Sequence, residues 1–177
     1  MIAKGSSYRL IVDASPLIYL AKLDALDVFR LDDPAAISEG VRNEVLLPQA
    51  AYRFPEIVRI DDSIRRGQIE VVSLDTEEQD SVEALSDRVP GLGRGELETI
   101  AAARARRWSA AIADRRASRV AQVHGVSVVG MLELLFARTT EGDRLAGRIR
   151  GLAKLVNMRI ETLEQLLGAV HERTRRQ

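Results

Sequence analysis

Short apolar segments, alternating along the chain with amphipathic ones, are the feature that most limits how this sequence can fold. Residues 10–13, 109–114 and 126–130 are apolar almost throughout, which is typical of central strands in a parallel sheet. Between such segments, apolar residues recur at helical spacing, for example at Leu97 and Ile100. Strands that alternate with helices predict an α/β fold, with a mostly parallel sheet covered by helices on both faces.

The remaining elements are predicted from the same patterns. Strands are expected at residues 35–38 and 69–74, and helices at 39–47, 56–66, 76–86, 116–124, 132–139, 143–156 and 161–171, besides those that follow residues 13 and 95. Ser15 and Pro16 are predicted to start the first helix, and Thr76 and Gln79 to form a capping box. Trp108 falls on the apolar face of the central helix and is expected in the core.

The length of 177 residues predicts a single domain, residues 1–177, with a core at about 8–167 and a frayed basic tail at 172–177. Residues 1–7 lack the apolar run of a signal peptide. No uninterrupted apolar run approaches the roughly 20 residues that span a membrane. We therefore expect a cytoplasmic protein that makes no membrane contact.

Composition restricts the chemistry of any metal site. The sequence has no cysteine, and its two histidines, His124 and His171, are far apart; disulfides and thiolate sites are excluded, and a histidine-rich site is not expected. Acidic and basic residues balance at 26 each, so the total charge gives no general attraction for nucleic acid. Protein ligands to a metal would be mostly oxygens, which favours Mg²⁺ or Mn²⁺.

Four carboxylates occupy positions from which they could reach one site. Asp13 and Asp114 each end an apolar segment, and open α/β sheets bind ligands at the carboxyl ends of their strands. Glu96 begins a helix after a glycine-rich loop, and Glu44 borders the apolar face of its helix. Each also has an ordinary structural explanation: the two aspartates as N-caps, Glu96 as a charge that compensates a helix dipole, and Glu44 as a solvated helix residue.

A cluster of like charges is tolerable when a divalent cation neutralises it, and such a cation can activate water for attack on a phosphodiester. Arg115, Arg116 and Arg119 follow the second strand-end aspartate and could meet phosphate, although a solvated helix face explains them equally well. Glu98 comes two residues after Glu96 and so points in another direction on a helix. We do not expect Glu98 among the ligands.

Several motifs occur together in this order. They are IVDASPLI at residues 11–18, Glu44 in its helix, GLGRGELETIA at residues 91–101, ADRRASRVA at residues 113–121 and VSVVGMLELL at residues 126–135. This set resembles the PIN-domain nucleases, and most closely a branch of short prokaryotic PIN-like proteins that includes many toxin-type members. The resemblance extends over roughly residues 10–167.

The resemblance implies a PIN-like three-layer sandwich and a Mg²⁺- or Mn²⁺-dependent endoribonuclease that hydrolyses RNA phosphodiesters. The acidic pocket, holding one or two ions, would be formed by Asp13, Glu44, Glu96 and Asp114. Ser15 would orient a metal-bound water. The resemblance further implies a homodimer and, for a toxin of a toxin–antitoxin pair, a small antitoxin protein with a basic side chain in the pocket. We expect such contacts at the exposed helices after Ile57.

Two positions depart from the pattern of that branch. An acidic pair is common where Ala113 and Asp114 stand, and threonine is common where Ala14 stands. We assign the metal ligand to Asp114, because this position keeps the spacing to the basic helix. Ser15 can supply the hydroxyl group that Ala14 lacks.

Two other classes of function stay open. A catalytically inactive PIN-like module that binds RNA or a partner would keep the same fold, and metal-dependent cleavage of RNA would separate it from the nuclease. A phosphatase or phosphoacceptor domain would use a strand-end aspartate as nucleophile. Such proteins usually place a second acid two residues later, where Ser15 stands here, and no suitably placed lysine follows Asp114.

Overall fold

A parallel sheet of five strands forms the centre of the protein. The computed structural model describes residues 9–46 and 53–175. The strands are β1 (Leu10–Val12), β2 (Ala35–Ser38), β3 (Ile69–Val72), β4 (Ser109–Ala111) and β5 (Val128–Val129). Their order across the sheet is β3-β2-β1-β4-β5, and each pair of neighbours is parallel. The α/β class predicted from the sequence is confirmed.

Nine α-helices lie in the described ranges. They are α1 (Ala14–Lys22), α2 (Glu39–Leu46), α3 (Pro55–Arg65), α4 (Thr76–Arg88), α5 (Arg94–Arg106), α6 (Arg115–Val123), α7 (Met131–Arg138), α8 (Gly142–Leu155) and α9 (Ile160–Arg175). The predicted end of α2 at residue 47 falls outside the described residues. Over residues 9–46 and 53–175, none of the helices combines the length and the apolar character that crossing a membrane requires.

Side chains of the strands alternate between two layers of helices. Leu10 and Val12 of β1 belong to a buried cluster that includes residues of α1, α3, α7 and α8. Ile11, between them, belongs to a second cluster with residues of α4, α5 and α6. Since successive side chains of a strand point to opposite faces, the two clusters lie on opposite sides of the sheet. The predicted three-layer sandwich is therefore confirmed.

Two of the apolar segments form shorter strands than predicted. In the segment 109–114, β4 ends at Ala111. The segment 126–130 pairs only at Val128–Val129 and lies at the edge of the sheet, whereas the sequence predicted a central strand. Val126 takes no part in β5 because its backbone N–H donates to the carbonyl of Ala121 and so closes the end of α6.

The capping box of α4 begins one residue earlier than predicted. The side chain of Asp75 accepts from the backbone N–H of Glu78 at 2.9 Å, and the Glu78 side chain accepts from the N–H of Asp75 at 3.0 Å. The prediction of Thr76 and Gln79 as the pair was wrong, because an aspartate can cap a helix as well as a threonine can.

The carboxyl end of α5 and the last helix also differ from the predictions. Arg107 ends α5 in the left-handed conformation at φ 55°. Trp108 lies beyond the helix, half-buried, with the guanidinium groups of Arg9 and Arg106 5.0 and 5.1 Å from its ring centre. Helix α9 continues through Arg175, so residues 172–175 are helical and not the expected frayed tail.

Candidate active site at the carboxyl end of the first strand

Asp13 is buried at the end of the central strand β1. Its backbone N–H donates to the carbonyl of Ala111 in β4 at 3.0 Å, which fixes it between the two strands. It occupies the N-cap position of α1, yet its side chain makes no capping hydrogen bond. The side chain is 3% exposed and its Oδ1 has no hydrogen-bond partner. The backbone N–H groups of Ala14 and Ser15 lie close enough to act on the carboxylate, so the ordinary N-cap explanation holds in part and leaves Oδ1 without a partner.

Burial raises the pKa of Asp13 from 3.8 to about 6, with smaller contributions from the negative charges of Glu96 and Glu44. The backbone N–H groups of Ala14 and Ser15 oppose this increase. Carboxylates raise one another's pKa values only when they are close in space. The structure therefore places Glu96 and Glu44, which are far from Asp13 in the sequence, within electrostatic range of its carboxylate.

Glu96 reaches the site from the first turn of α5. Its Oε2 accepts a hydrogen bond of 2.8 Å from the backbone N–H of Gly93, which precedes the helix. Gly93 has no side chain with which to complete a capping box, so only this half is formed. The ordinary explanation, in which Glu96 only stabilises the start of α5, holds in part. The hydrogen bond from Gly93 occupies one of the two carboxylate oxygens of Glu96.

Glu44 reaches the site because α2 packs closely on α5. A Cβ atom added at Gly95 would lie 3.0 Å from Oε2 of Glu44 and 3.1 Å from Cγ2 of Val41. A larger residue at Gly95 would therefore displace the Glu44 carboxylate, the Val41 side chain or α2 itself. The absence of a side chain at Gly95, directly before Glu96, therefore allows Glu44 to lie next to the start of α5.

A second glycine, Gly40, supports the same packing from the side of α2. Its backbone N–H donates to Oε2 of Glu98 at 2.7 Å, and the Glu98 carboxylate occupies the space that a side chain at Gly40 would need. Arg94 also donates to Glu98, at 2.6 Å. Glu98 thus joins α5 to the start of α2. Its structural role was not visible in the sequence, which showed only that it points away from Glu96.

Asp114 does not lie directly at the end of β4, where the sequence predicted it. It lies three positions after Ala111, where β4 ends, and it is exposed. Its Oδ1 accepts from the backbone N–H groups of Arg116 and Ala117, both at 2.8 Å, and so caps α6. The charges that act on Asp13 are those of Glu96 and Glu44, and Asp114 is not among them. The N-cap explanation holds for one of its oxygens.

The remaining predicted site residues are at the surface. Ser15 is exposed in the first turn of α1, and its predicted role as N-cap was wrong because Asp13 holds that position. Arg115 and Arg119 are exposed, and within the described part of the chain they have no partner. Arg116 instead donates to the carbonyl of Pro90 at 2.6 Å and so holds the loop before α5.

The donor set around Asp13 fits a cation in part. In the ranges that the structure describes, no three acidic or histidine side chains are arranged so that they could hold a metal ion. The unpartnered Oδ1 of Asp13 is, however, a buried anionic oxygen that a cation would satisfy. Mg²⁺ usually keeps several waters and binds through one or two carboxylates and the substrate's phosphates, so it does not require a complete protein cage.

Comparison with known families agrees with this architecture. A family model described as a PIN domain matches residues 9–166, and the chain belongs to the PIN-domain family. Proteins of this family are generally nucleases. No curated protein and no solved structure matches the chain.

Proposed function

We propose that the protein is an endoribonuclease that hydrolyses RNA phosphodiesters with Mg²⁺ or Mn²⁺. The observation that carries this proposal is the buried Asp13 carboxylate, whose Oδ1 has no hydrogen-bond partner. The charges of Glu96 and Glu44 act on it. Burying an unpartnered carboxylate near other negative charges destabilises the folded protein. When such a carboxylate lies at the carboxyl edge of the sheet, we expect it to bind a ligand there.

Each residue has a part in this proposal. Asp13 and Glu96 would hold the ion directly, and Glu44 would hold it directly or through water. When bound, such an ion would supply an activated water and neutralise charge that develops on the phosphate. Asp114 would use its second oxygen as a ligand while the first caps α6, and the exposed Ser15 hydroxyl would orient the attacking water.

The exposed helix α6 supplies the contact with the RNA backbone. The guanidinium groups of Arg115 and Arg119 have no partner in the described part of the chain and can meet phosphate oxygens. Arg116 contributes in another way, because its bond to Pro90 holds the loop that leads to Glu96.

The test is cleavage of a single-stranded RNA by the purified protein with Mg²⁺ or Mn²⁺, and again with EDTA. Asp13→Asn should abolish cleavage while the fold is kept. Asp80→Asn, at an exposed position of α4, is the matched control and should leave cleavage unchanged. Metal-independent cleavage, or full activity of Asp13→Asn, would contradict the proposal.

One observation favours an inactive PIN-like module as a second candidate. Glu96 and Asp114 each use an oxygen for a helix start, and the described acids do not form a complete set of metal ligands. Such a module would bind RNA or a protein partner without cleaving RNA. Binding of RNA without cleavage, at any concentration of Mg²⁺ or Mn²⁺, would favour it over the nuclease.

The homodimer, the antitoxin and the cytoplasmic location remain predictions. Val58 is an exposed apolar residue of α3 in the region after Ile57 where we predict the protein contacts, and Phe54, exposed as well, directly precedes α3. Light scattering at micromolar concentration tests the dimer. A short reading frame beside the gene, and inhibition of cleavage by its product, would support a toxin–antitoxin pair.

A further inference from the structure

We infer that Thr99 is a positioning residue of the candidate active site: its hydroxyl shares a buried water molecule with Oδ1 of Asp13. This inference rests on the proposed function, because orienting Asp13 has a catalytic purpose only if Asp13 binds the metal. Nothing in the sequence singled out Thr99, which lies in the middle of α5.

Two unsatisfied atoms suggest the pairing. In the part of the chain that the structure describes, Oδ1 of Asp13 and Oγ1 of Thr99 are the buried side-chain atoms that lack a hydrogen-bond partner. Thr99 is fully buried. A threonine within a helix commonly satisfies itself by donating to the carbonyl four residues earlier, and Thr99 does not. Its hydroxyl is therefore available for another group.

The two atoms lie in the same layer of the protein. Asp13 continues β1 in extended conformation, so its side chain leaves the sheet on the side of Ile11. Ile11 packs in the cluster that contains Leu97 and Ile100 of α5. The side chain of Asp13 thus enters the layer to which Thr99 belongs.

Helix geometry directs Thr99 toward the site. Thr99 follows Glu96 by three residues, so the two side chains share a face of α5. Side chains of a helix point toward its amino end, and that of Thr99 therefore covers the turn that holds Glu96. The charge of Glu96 acts on Asp13. The hydroxyl consequently points to the region where these two acids meet.

The two atoms make no direct hydrogen bond to each other, and one shared water would satisfy both. Buried waters typically bond two to four polar groups that would otherwise be unsatisfied, which is the situation of these two atoms. A carboxylate oxygen has two lone pairs, so Oδ1 can accept from this water and still face a cation, while the water holds the carboxylate of Asp13 in one orientation. Groups that orient a ligand in this way commonly change metal affinity 10- to 100-fold when they are removed.

The experiment measures Mn²⁺ affinity by calorimetry for the wild type, Thr99→Val and Thr99→Ser. Thr99→Val keeps the shape and loses the hydroxyl, and its affinity should fall about tenfold or more. Thr99→Ser keeps the hydroxyl and should bind nearly as the wild type does. Thr139→Val is the matched control, because Thr139 is also buried but bonds Arg148 on α8. It should lower the melting temperature without changing Mn²⁺ affinity.

The outcomes separate this inference from the proposed function. A wild type that binds no Mn²⁺ overturns both. A wild type that binds Mn²⁺, with equal affinity in Thr99→Val, overturns the role of Thr99 alone. Melting in EDTA adds a readout without metal: the effects of Thr99→Val and Asp13→Asn should be non-additive if the two residues share a water. Additive effects would overturn the shared water.

Discussion

The backbone N–H of Gly40, in the first turn of α2, donates a 2.7 Å hydrogen bond to the carboxylate of Glu98 on α5. This bond holds together the two helices that carry Glu44 and Glu96. Glu98 is 7% exposed, so its carboxylate has little access to water in exchange. The relative position of two candidate metal ligands therefore depends on a residue that does not belong to the site.

Replacing Glu98 should test this dependence. Glu98→Ala removes the charged acceptor of the half-buried N–H of Gly40, and should lower the free energy of unfolding by about 1–3 kcal/mol. Glu98→Gln keeps an amide oxygen that can accept the same bond, and should cost less. Urea unfolding in EDTA measures both. Equal losses in the two variants would show that the charge, and not the bond to Gly40, is what matters.

Gly95→Ala should show whether RNA cleavage depends on the position of Glu44. The new methyl group would lie 3.0 Å from Oε2 of Glu44, so the carboxylate or the whole of α2 must move. We expect cleavage to fall about tenfold, because small misplacements of catalytic groups are costly.

Gly147→Ala is the control for this change. A Cβ at Gly147 of α8 would meet no atom within 4 Å, so this variant should gain about 0.5–1 kcal/mol from helix propensity and keep full activity. A Gly95→Ala protein as active as Gly147→Ala would mean that Glu44 is not needed where it stands.

Much of the site could be predicted from the sequence, because strand ends and helix starts follow local rules. The apolar run before Asp13 and the glycines before Glu96 place both residues correctly. Asp114 was placed too near the strand, since an apolar run does not reveal where sheet hydrogen bonds stop. The roles of Glu98 and Thr99 depend on contacts with other elements, and no local pattern shows such contacts.

Asp13 should make the apo protein less stable as pH rises. Its folded pKa of about 6 exceeds 3.8, so the folded chain binds more protons between these values and the free energy of unfolding falls across that window. Asp13→Asn removes this titration and should be more stable than the wild type by about 2 kcal/mol at pH 7.5. Near pH 4 the difference should be small.

Urea unfolding of both proteins in EDTA, from pH 4 to pH 8, measures this difference directly. If this difference in the free energy of unfolding increases between pH 4 and pH 6, ionisation of the buried Asp13 carboxylate destabilises the folded protein. A difference that does not change with pH, or a less stable Asp13→Asn at pH 7.5, would show that Asp13 is not strained in the folded protein.

Asp114 combines two roles that two variants can separate. Asp114→Asn keeps a side-chain oxygen that can accept from the N–H groups of Arg116 and Ala117, so stability should stay near that of the wild type. Asp114→Ala loses the cap and should cost about 1 kcal/mol. If Asp114 is also a ligand, both variants should lose cleavage. An active Asp114→Asn would restrict this residue to capping α6.

The most direct test of the account is the rate of RNA cleavage as a function of Mn²⁺ concentration, for the wild type and Asp13→Asn. We predict that the wild type cleaves single-stranded RNA in proportion to bound Mn²⁺ and stops in EDTA. Asp13→Asn, folded and at least as stable in EDTA at pH 7.5, should not cleave at any Mn²⁺ concentration. Cleavage by Asp13→Asn at the wild-type rate would contradict the assignment of the buried carboxylate to the active site.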